Sequence, residues 1–283
     1  MNYRHAFHAG NFADVVKHAA LGRILVHLRG KERGFRVIDT HAGAGLYDLA
    51  SDEASRTGEW REGIGRLMEA RLPLDLQALV APYLQAVAAT NGGAELRRYP
   101  GSPLIALNLL RPQDRLVACE LEPDAATALA ANLRHDARAR AVPIDGWMAL
   151  NAYVPPKERR GVVLVDPPYE DKDEFTRLAD AVAAAHRKWA TGVFLLWYPI
   201  KDRTGPDLLA GALGRGRIGK VLRAELELPP AGEPARLSGA GLIVVNPPWR
   251  LADELAQLLS GLGMVFRPGA GGRAKVDWIA GAS

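Results

Sequence analysis

Short apolar runs alternate with helical patterns along most of this chain, and this alternation restricts the fold more than any other feature. Five runs predict strands, at residues 35–39, 115–120, 142–144, 161–166 and 192–198. Helical patterns occupy residues 103–111, 123–134, 173–189 and 203–214. Continuously apolar strands are typical of a parallel sheet covered on both faces. We therefore predict an α/β fold with a mainly parallel sheet.

Three parts of the chain depart from this alternation. Residues 11–29 form an apolar helical stripe that Asn11 would cap. Residues 48–99 separate the first two strands and predict helices at 59–71 and 74–90. Near the C-terminus, strands at 220–228, 241–246 and 274–279 lie closer together, so we expect some antiparallel pairing. We predict a main domain of residues 1–47 and 100–283, into which residues 48–99 are inserted as a small helical subdomain.

Composition limits the classes of protein to consider. The chain has 283 residues, 48% of them hydrophobic, which is enough for a sizeable core. Lys and Arg exceed Asp and Glu by four, so a polyanionic partner is allowed but not required. The one cysteine, Cys119, lies in an apolar run and is interpreted as a core residue. No apolar run reaches about eighteen residues and no signal-peptide pattern is present, so we expect a cytoplasmic protein outside the membrane.

Acidic residues follow four of the predicted strands. Asp39 ends the first, Glu120 ends the second, Asp145 follows the third, and Asp166 ends the fourth. In open α/β sheets, ligands bind outside the carboxyl ends of the strands. Four acids at those ends therefore predict one ligand site, because a structural explanation for all four is weaker than for any single one.

A glycine loop follows the first strand, in Asp39-Thr-His41-Ala-Gly43-Ala-Gly45. Glycines let the backbone approach a ligand closely, but this pattern alone fits dinucleotide enzymes as well. The acid that binds a nucleotide ribose is expected about 20 residues later, and Glu120 is much farther away. The 48–99 insertion explains the excess, because Ser102 opens a new helix and precedes Glu120 by a normal spacing.

The segment Asp166-Pro167-Pro168-Tyr169 predicts the chemistry. An exocyclic amine on a base is a poor nucleophile, and an enzyme can aim it by accepting both of its N–H bonds. The Asp166 side chain and the Pro167 carbonyl would be these acceptors, stiffened by the two prolines. Tyr169 would offer a flat face to an unstacked base, which is worth about 1–3 kcal/mol. This tetrapeptide is typical of enzymes that methylate amino groups.

A similar segment, Asn246-Pro-Pro-Trp249, follows a later strand. It lies outside the series of four acids and opens the helix predicted at 248–262, where proline is normal. We interpret Asn246 and Trp249 as structural residues.

The N-terminus, YRHAFHAGNFADVVKH, is dense in aromatic and cationic residues. It allows three interpretations: a zinc site of His5, His8 and His18, a satisfied structural cluster, or a lid that holds nucleic acid over the site. We do not expect a metal, because no cysteine accompanies the histidines and their spacing fits no common zinc motif.

The order of glycine loop, ribose acid, Asp145 and DPPY resembles that of Rossmann-like class I S-adenosylmethionine-dependent methyltransferases. Together with YRHAFHAGNFADVVKH, DTHAGAG, YPGSPLIA, LWYPI and NPPW, it resembles over the whole chain the bacterial 23S ribosomal RNA adenine-N6 methyltransferase family called RlmJ. The resemblance implies methylation of one adenine in 23S rRNA that is protein-free or partly assembled. We expect a monomer without an obligate protein partner.

The resemblance also implies roles for individual residues. Asp166 would be catalytic, and Tyr3, His5 and Lys17 would lie near the RNA, beside Pro167 and Tyr169. The residues implied to contact S-adenosylmethionine are His18, His41, Ser102, Glu120, Asp145, Gly146 and Asp166.

Other functions remain open on the motifs alone. DPPY also fits methylation of DNA adenine, guanine N2 or a protein glutamine. An NAD-dependent oxidoreductase would leave DPPY unexplained, and a non-catalytic RNA-binding protein would not need it. Basic residues fit an RNA substrate and could form a phosphate-binding rim: Arg97, Arg98, Arg134, Arg138, Arg140, Lys157, Arg159 and Arg160.

Overall fold

A computed structural model describes residues 5–171, 173–216, 218–229 and 237–281. The strands are β1 Arg36–Asp39, β2 Leu46–Asp48, β3 Arg98–Pro100, β4 Arg115–Cys119, β5 Ala139–Val142, β6 Gly161–Val165, β7 Val193–Ile200, β8 Val221–Glu227, β9 Gly239–Val245 and β10 Arg273–Ala280. The helices are α1 Phe12–Arg29, α2 Asp52–Thr57, α3 Arg66–Glu69, α4 Leu74–Thr90, α5 Ser102–Leu109, α6 Pro123–Leu133, α7 Gly146–Ala152, α8 Glu174–Lys188, α9 Thr204–Arg215 and α10 Leu251–Phe266. A π-helical turn, Arg61–Gly65, precedes α3.

Eight strands form the central sheet, in the order β10-β8-β9-β7-β6-β1-β4-β5. Strands β1, β4, β5, β6 and β7 are parallel, whereas β8, β9 and β10 pair antiparallel with their neighbours. This confirms the predicted α/β class and the antiparallel pairing near the C-terminus. The five parallel strands end at one edge of the sheet, here called the carboxyl edge, and the opposite edge is called the amino edge.

The apolar runs become strands because helices cover both of their faces. All five residues of β6 are buried. Val162 and Leu164 join the cluster that contains α1, α4, α5 and α10, while Val163 and Val165 join the cluster that contains α8 and α9. A strand between two apolar layers needs no polar face, which explains its continuous apolar sequence. None of the described helices combines the length and apolar composition that a bilayer crossing requires.

The predicted third strand is shifted by three residues. It was expected at 142–144, but β5 spans Ala139–Val142. β5 lies at the end of the sheet, so its residues are only partly buried and its sequence, ARAV, is not an apolar run. Pro143 lacks the N–H that would continue the ladder. The short helices α2 and α7 were not predicted either, whereas Cys119 is buried as expected.

A short ladder closes the base of the segment 48–99. β2 and β3 pair antiparallel, with Asp48 opposite Arg98, so the two ends of the segment lie side by side. Helix α4 packs against α1, α5 and α10, and its Leu79, Val80 and Tyr83 join the same core as the sheet. The segment is helical between its ends, as expected. Its separation as an inserted subdomain stays a prediction, because its core is continuous with that of the sheet.

Candidate active site

The carboxyl edge gathers the four acids predicted from the strand ends. Asp39 ends β1, Glu120 follows β4, and Asp166 follows β6. Asp145 caps α7 just beyond β5, and its Oδ1 accepts the backbone N–H of Met148 at 3.0 Å. β1 lies between β4 and β6, so the four side chains follow one another along this edge.

An ion network that spacing could not reveal connects α1 to this edge. Lys17 Nζ donates to Oδ2 of Asp166 and to Oδ1 of Asp14, the latter at 2.9 Å. The side chains of Asp14 and Lys17 are 3% and 5% exposed, whereas that of Asp166 is 15% exposed. Burial alone would lower the pKa of Lys17, but the two carboxylates raise it above its ordinary value. Lys17 is therefore a buried ammonium group, and Asp166 is its partner nearest the solvent.

Asp14 holds this network in place. Its Oδ2 lies 2.9 Å from His5 Nε2 and accepts the backbone N–H of Gly10 at 2.9 Å. Burial would raise the pKa of Asp14, yet His5 and Lys17 hold it well below its ordinary range. His5, which was predicted to lie near the substrate, thus contacts the network through Asp14.

His18 is buried on the same helix. Its Nδ1 lies 2.7 Å from the hydroxyl of Tyr99, which lies 3.0 Å from that of Tyr83. Burial holds the pKa of His18 well below its ordinary value, so the ring is neutral. Its predicted contact with a cofactor stays a prediction. Tyr3, the other N-terminal residue assigned to the substrate, lies outside the described residues.

The three histidines of the alternative zinc site bind different partners. His5 pairs with Asp14, His8 Nδ1 lies 3.0 Å from Glu59 Oε2, and His18 binds a tyrosine. Within the described ranges, no group of three potential metal ligands comes together.

The glycine loop and Glu120 form one hydrogen-bonded unit. Gly43 N donates to Glu120 Oε2 at 2.8 Å, and the backbone N–H groups of Leu121 and Glu122 donate to Oε1 at 2.8 Å. Gly43 has a φ of 60°, and a Cβ there would lie 2.2 Å from the hydroxyl of Tyr47. Only glycine fits this position, so the loop brings bare backbone to the predicted ligand site.

The structure brings together His41 and Gly146, each of which was implied to contact the cofactor. A Cβ at Gly146 would lie 2.6 Å from the His41 ring and 2.4 Å from the Thr40 carbonyl oxygen. Thr40 Oγ1 lies 2.8 Å from His41 Nδ1 and fixes the ring. Burial lowers the pKa of His41 to about 4, so the ring is neutral near pH 7.

Asp39 is a buried acid whose hydrogen bonding is incomplete. Within the described part of the chain, its Oδ1 has no hydrogen-bond partner. Burial raises the pKa of Asp39 to about 7, although Ser102 and Lys17 oppose the shift. Ser102 begins α5 as predicted and is itself buried. An unpartnered carboxyl oxygen at a ligand edge suits a polar or cationic ligand group.

The DPPY loop is held by aromatic contacts. The hydroxyl of Tyr169 donates to the carbonyl oxygen of Trp197 at 2.6 Å. The Tyr169 ring lies 4.8 Å from that of Phe175 and 5.9 Å from that of Trp197, between centroids. Tyr169 has a φ of 54°, in the left-handed region that is unfavourable for a bulky residue. Pro167 is buried, so the loop has little freedom to move.

The second Pro-Pro loop lies at the other edge of the sheet. β9 runs antiparallel to β7, so its last residue lies beside the start of β7 and Asn246 emerges at the amino edge. Asn246 Nδ2 donates to the carbonyl oxygens of Ala190 and Gly192, both at 2.8 Å. The structural role predicted for Asn246 is confirmed. The same prediction for Trp249 is wrong, because this side chain is 87% exposed.

Five of the eight basic residues expected to form a phosphate-binding rim lie away from Asp166. Arg138 and Arg140 lie at the start of β5, and Lys157, Arg159 and Arg160 precede β6. Residues before parallel strands lie at the amino edge, at the far end of the strands from Asp166. These basic residues precede predicted parallel strands, so the sequence already indicated that they lie at the amino edge.

Three residues of the site were missed by sequence reasoning. Asp14 precedes Lys17 by one helical turn, a spacing that places both on one face of α1. Leu121 and Met148 are large apolar residues that are 55% and 63% exposed. Each lies within three residues of a predicted cofactor acid, Glu120 or Asp145. An apolar residue beside such an acid was the available signal.

Comparisons with known proteins agree with this arrangement. The family model described as "Ribosomal RNA large subunit methyltransferase D, RlmJ" matches residues 32–280. Proteins named "Ribosomal RNA large subunit methyltransferase J" from Escherichia coli strain K12 and from Haemophilus influenzae are each 41% identical over 280 residues, which cover 99% of this chain and 99% of each relative.

A solved structure has the same fold. The crystal structure of protein LPL1258 from Legionella pneumophila is 34% identical, with a TM-score of 0.87 over 95% of this chain and 98% of that chain. The match extends over both the sheet and the segment 48–99. The strand order and this likeness confirm the predicted Rossmann-like α/β fold.

Proposed function

Because the chain belongs to the RlmJ family of ribosomal RNA large subunit methyltransferases, we propose that it methylates N6 of one adenine in 23S rRNA. The methyl donor is S-adenosylmethionine. We also propose that the RNA is protein-free or partly assembled when it reacts, as the resemblance to the family implies. The enzyme acts as a monomer in the cytoplasm, without an obligate protein partner.

The observation that carries this proposal is the setting of Asp166. Lys17 binds its Oδ2, and within the described residues nothing binds its Oδ1, while the side chain remains 15% exposed. Oδ1 can therefore accept one N–H of the adenine amine, and the carbonyl of Pro167 can accept the other. Two fixed acceptors orient the amine lone pair for attack.

The charges around Asp166 favour the reaction. Lys17 binds one oxygen of the Asp166 carboxylate, and the other oxygen lies on the side where the amine would be placed. Positive charge develops on the amine nitrogen as it gains a methyl group, and a fixed negative environment stabilises it. We assign Asp166 two roles, orientation of the amine and stabilisation of this charge.

The cofactor residues fit S-adenosylmethionine chemically. When bound, this cofactor supplies an electrophilic methyl group on a positively charged sulfur. Glu120 would bind the ribose hydroxyls beside Gly43, and Asp39 with Ser102 would meet the polar methionine end. The unpartnered oxygen of Asp39 is the structural observation that supports this fit.

The adenine end of the cofactor would lie near Asp145. Leu121 and Met148 expose apolar side chains after the neighbouring strands β4 and β5. Two apolar groups flanking a polar acceptor are suited to a purine ring, whose faces are apolar and whose edge is polar. Neutral His41, packed against Gly146, would close the inner side of this pocket.

Tyr169 supports the base. Its ring is fixed by Phe175, Trp197 and the hydrogen bond of its hydroxyl, so stacking on it costs little side-chain entropy. Stacking on an aromatic ring is worth about 1–3 kcal/mol per base, comparable to the cost of extruding the base. His5 and Lys17 complete the substrate side together with Tyr3.

The test is methyl transfer from labelled S-adenosylmethionine to protein-free 23S rRNA that lacks the modification, with double-stranded DNA in parallel. We expect label in N6-methyladenosine of RNA with the wild type, and none with Asp166→Ala. Label in DNA, in guanosine or in protein would overturn the target. Failure to bind the cofactor, measured by calorimetry, would overturn the reaction class.

A further inference from the structure

Positive charge is concentrated at the amino edge of the sheet, away from Asp166. Residues 29–36, 111–115 and 157–160, here called the basic edge surface, contain nine Lys and Arg and three Asp and Glu. This excess of six is larger than the excess of four in the whole chain, so the remaining residues carry net negative charge. These three segments precede β1, β4 and β6, which are adjacent in the sheet.

Hydrogen bonds join the three segments into one rigid surface. The Arg111 guanidinium donates to the carbonyl oxygens of Arg29 and Lys31 at 3.1 and 2.8 Å. Arg160 donates to the carbonyl oxygens of Leu28 and Arg33. Burial and the nearby Arg111 and Arg33 lower the pKa of the Arg160 guanidinium.

The acids of this surface do not neutralise its exposed cations. Asp114 is buried and bound by Arg111, and Glu158 is bound by Arg36. Within the described residues, the five exposed cations have no ion-pair partner: Arg29, Lys31, Arg33, Lys157 and Arg159. The surface therefore presents five free positive charges beside one exposed acid, Glu32.

An exposed aromatic residue borders this surface. Trp249 and Arg250 precede α10, whose Glu254 pairs with Arg23 and His27 near the end of α1. Arg29 ends that same helix, so the start of α10 lies beside the basic edge surface. Exposed tryptophan beside unpaired cations is a combination that suits nucleic acid, through stacking and phosphate contacts.

From these observations we propose that the basic edge surface binds phosphates of the substrate RNA at a segment remote from the target adenine. This rests on the proposed function. Six residues of extended chain separate residue 160 from Asp166, or about 20 Å at 3.3 Å per residue. One RNA must therefore reach around the sheet to occupy both edges. The surface selects a large, folded RNA over a short strand that carries the same adenine.

The test measures how the charge of the basic edge surface affects the binding of a long RNA and of a short RNA. The variant carries Lys31→Gln, Arg33→Gln and Arg159→Gln, three exposed residues outside the active site. The control carries Arg71→Gln, Arg273→Gln and Lys275→Gln, which remove the same charge elsewhere on the surface. Binding and methyl transfer are measured over a range of salt with protein-free large-subunit RNA and with an RNA of about seven nucleotides centred on the methylated adenine. In a stacked, helical strand, three flanking nucleotides cover only about 10 Å at 3.4 Å each, half of the distance to the surface.

We expect the variant to bind the long RNA about tenfold or more weakly, with a salt slope reduced by roughly 2 to 3, as for the loss of three phosphate contacts. Binding of the short RNA should match that of the control. Equal affinities of variant and control for the long RNA would overturn the proposal, and so would an equal loss on the short RNA. Unchanged RNA binding with lost binding to phosphatidylglycerol vesicles would assign the surface to a membrane instead. If the wild type transfers no methyl group to RNA, the proposed function fails, and the length-dependent binding still decides the role of this surface.

Discussion

Two Pro-Pro loops of nearly the same sequence lie at opposite edges of one sheet. DPPY follows the parallel strand β6, and NPPW follows β9, which runs antiparallel to β7. Asn246 donates both of its amide hydrogens to backbone carbonyls, so its polar group is already satisfied. Asp166 binds Lys17 through one oxygen and leaves the other accessible. The direction of the preceding strand, more than the motif itself, decides whether such a loop can bind a ligand.

The largest expected difference between the two loops is the effect of a substitution on the rate of methyl transfer. Asp166→Asn keeps the size of the side chain but removes the negative charge, so methyl transfer should fall by on the order of 10²–10³-fold. Asn246→Asp, the reciprocal exchange, should leave the rate of the folded enzyme unchanged. Steady-state methyl transfer with both variants measures this difference. Similar losses in both would mean that the two loops share a function.

A second difference between the edges is the pH dependence of stability. The folded-state pKa of Asp39 is raised to about 7 from an ordinary value of 3.8. Between these values the folded protein keeps a proton that the unfolded chain has lost, so this group makes stability fall as pH rises towards 7 and level off above it. About three pKa units correspond to at most roughly 4 kcal/mol.

Asp39→Asn should remove that slope. Urea unfolding of the ligand-free wild type and variant at pH 5 and pH 8 measures it as a difference, so other titrating groups cancel. The variant should gain stability relative to the wild type at both pH values, and the gain should be larger at pH 8 than at pH 5. An equal difference at both pH values would contradict the assignment.

Substitutions at the amino edge should change the stability of the protein, whereas substitutions at the carboxyl edge should change the rate of methyl transfer. Asn246→Asp replaces two donated hydrogen bonds by a carboxylate that faces two carbonyl oxygens. We expect a loss of about 1–3 kcal/mol in the free energy of unfolding. Chemical unfolding at pH 7 tests this, with Asn246→Ala as the control that removes the donors without adding charge. No loss in the Ala variant would show that the amide donors do not matter, and a smaller loss in the Asp variant than in the Ala variant would show that the carboxylate is not repelled.

The smallest expected effects concern the fourth residue of each loop. Tyr169→Phe removes one hydrogen bond to the Trp197 carbonyl, which should lower the free energy of unfolding by about 1 kcal/mol. Trp249→Ala removes an exposed ring and should change it by no more than about 0.5 kcal/mol. Thermal unfolding of both variants makes the comparison. A larger loss for Trp249→Ala would mean that its ring packs against the protein in solution.

The sequence predicted what depends on local pattern. The apolar runs predicted the fold. The acids that follow these runs predicted the positions of Glu120, Asp145 and Asp166 at the carboxyl edge. The sequence misplaced β5 by three residues, since an edge strand lacks the apolar run of a central one. It also gave no sign that Lys17 binds Asp166, because these residues lie 149 positions apart and only the packing of α1 brings them together. The amino-edge position of the basic residues follows from strand direction, a signal that was present in the sequence.

The pairing of Lys17 with Asp166 has a consequence for biosynthesis. Helix α1 leaves a ribosome well before Asp166, because 149 positions separate Lys17 from Asp166. The last contacts of α1 are later still, because Arg23 and His27 bind Glu254 on α10. Helix α1 is thus made long before it is fixed in place. A nascent chain that already contains every residue of the active site would still lack the contacts that hold α1, so we expect activity to appear only after synthesis reaches α10.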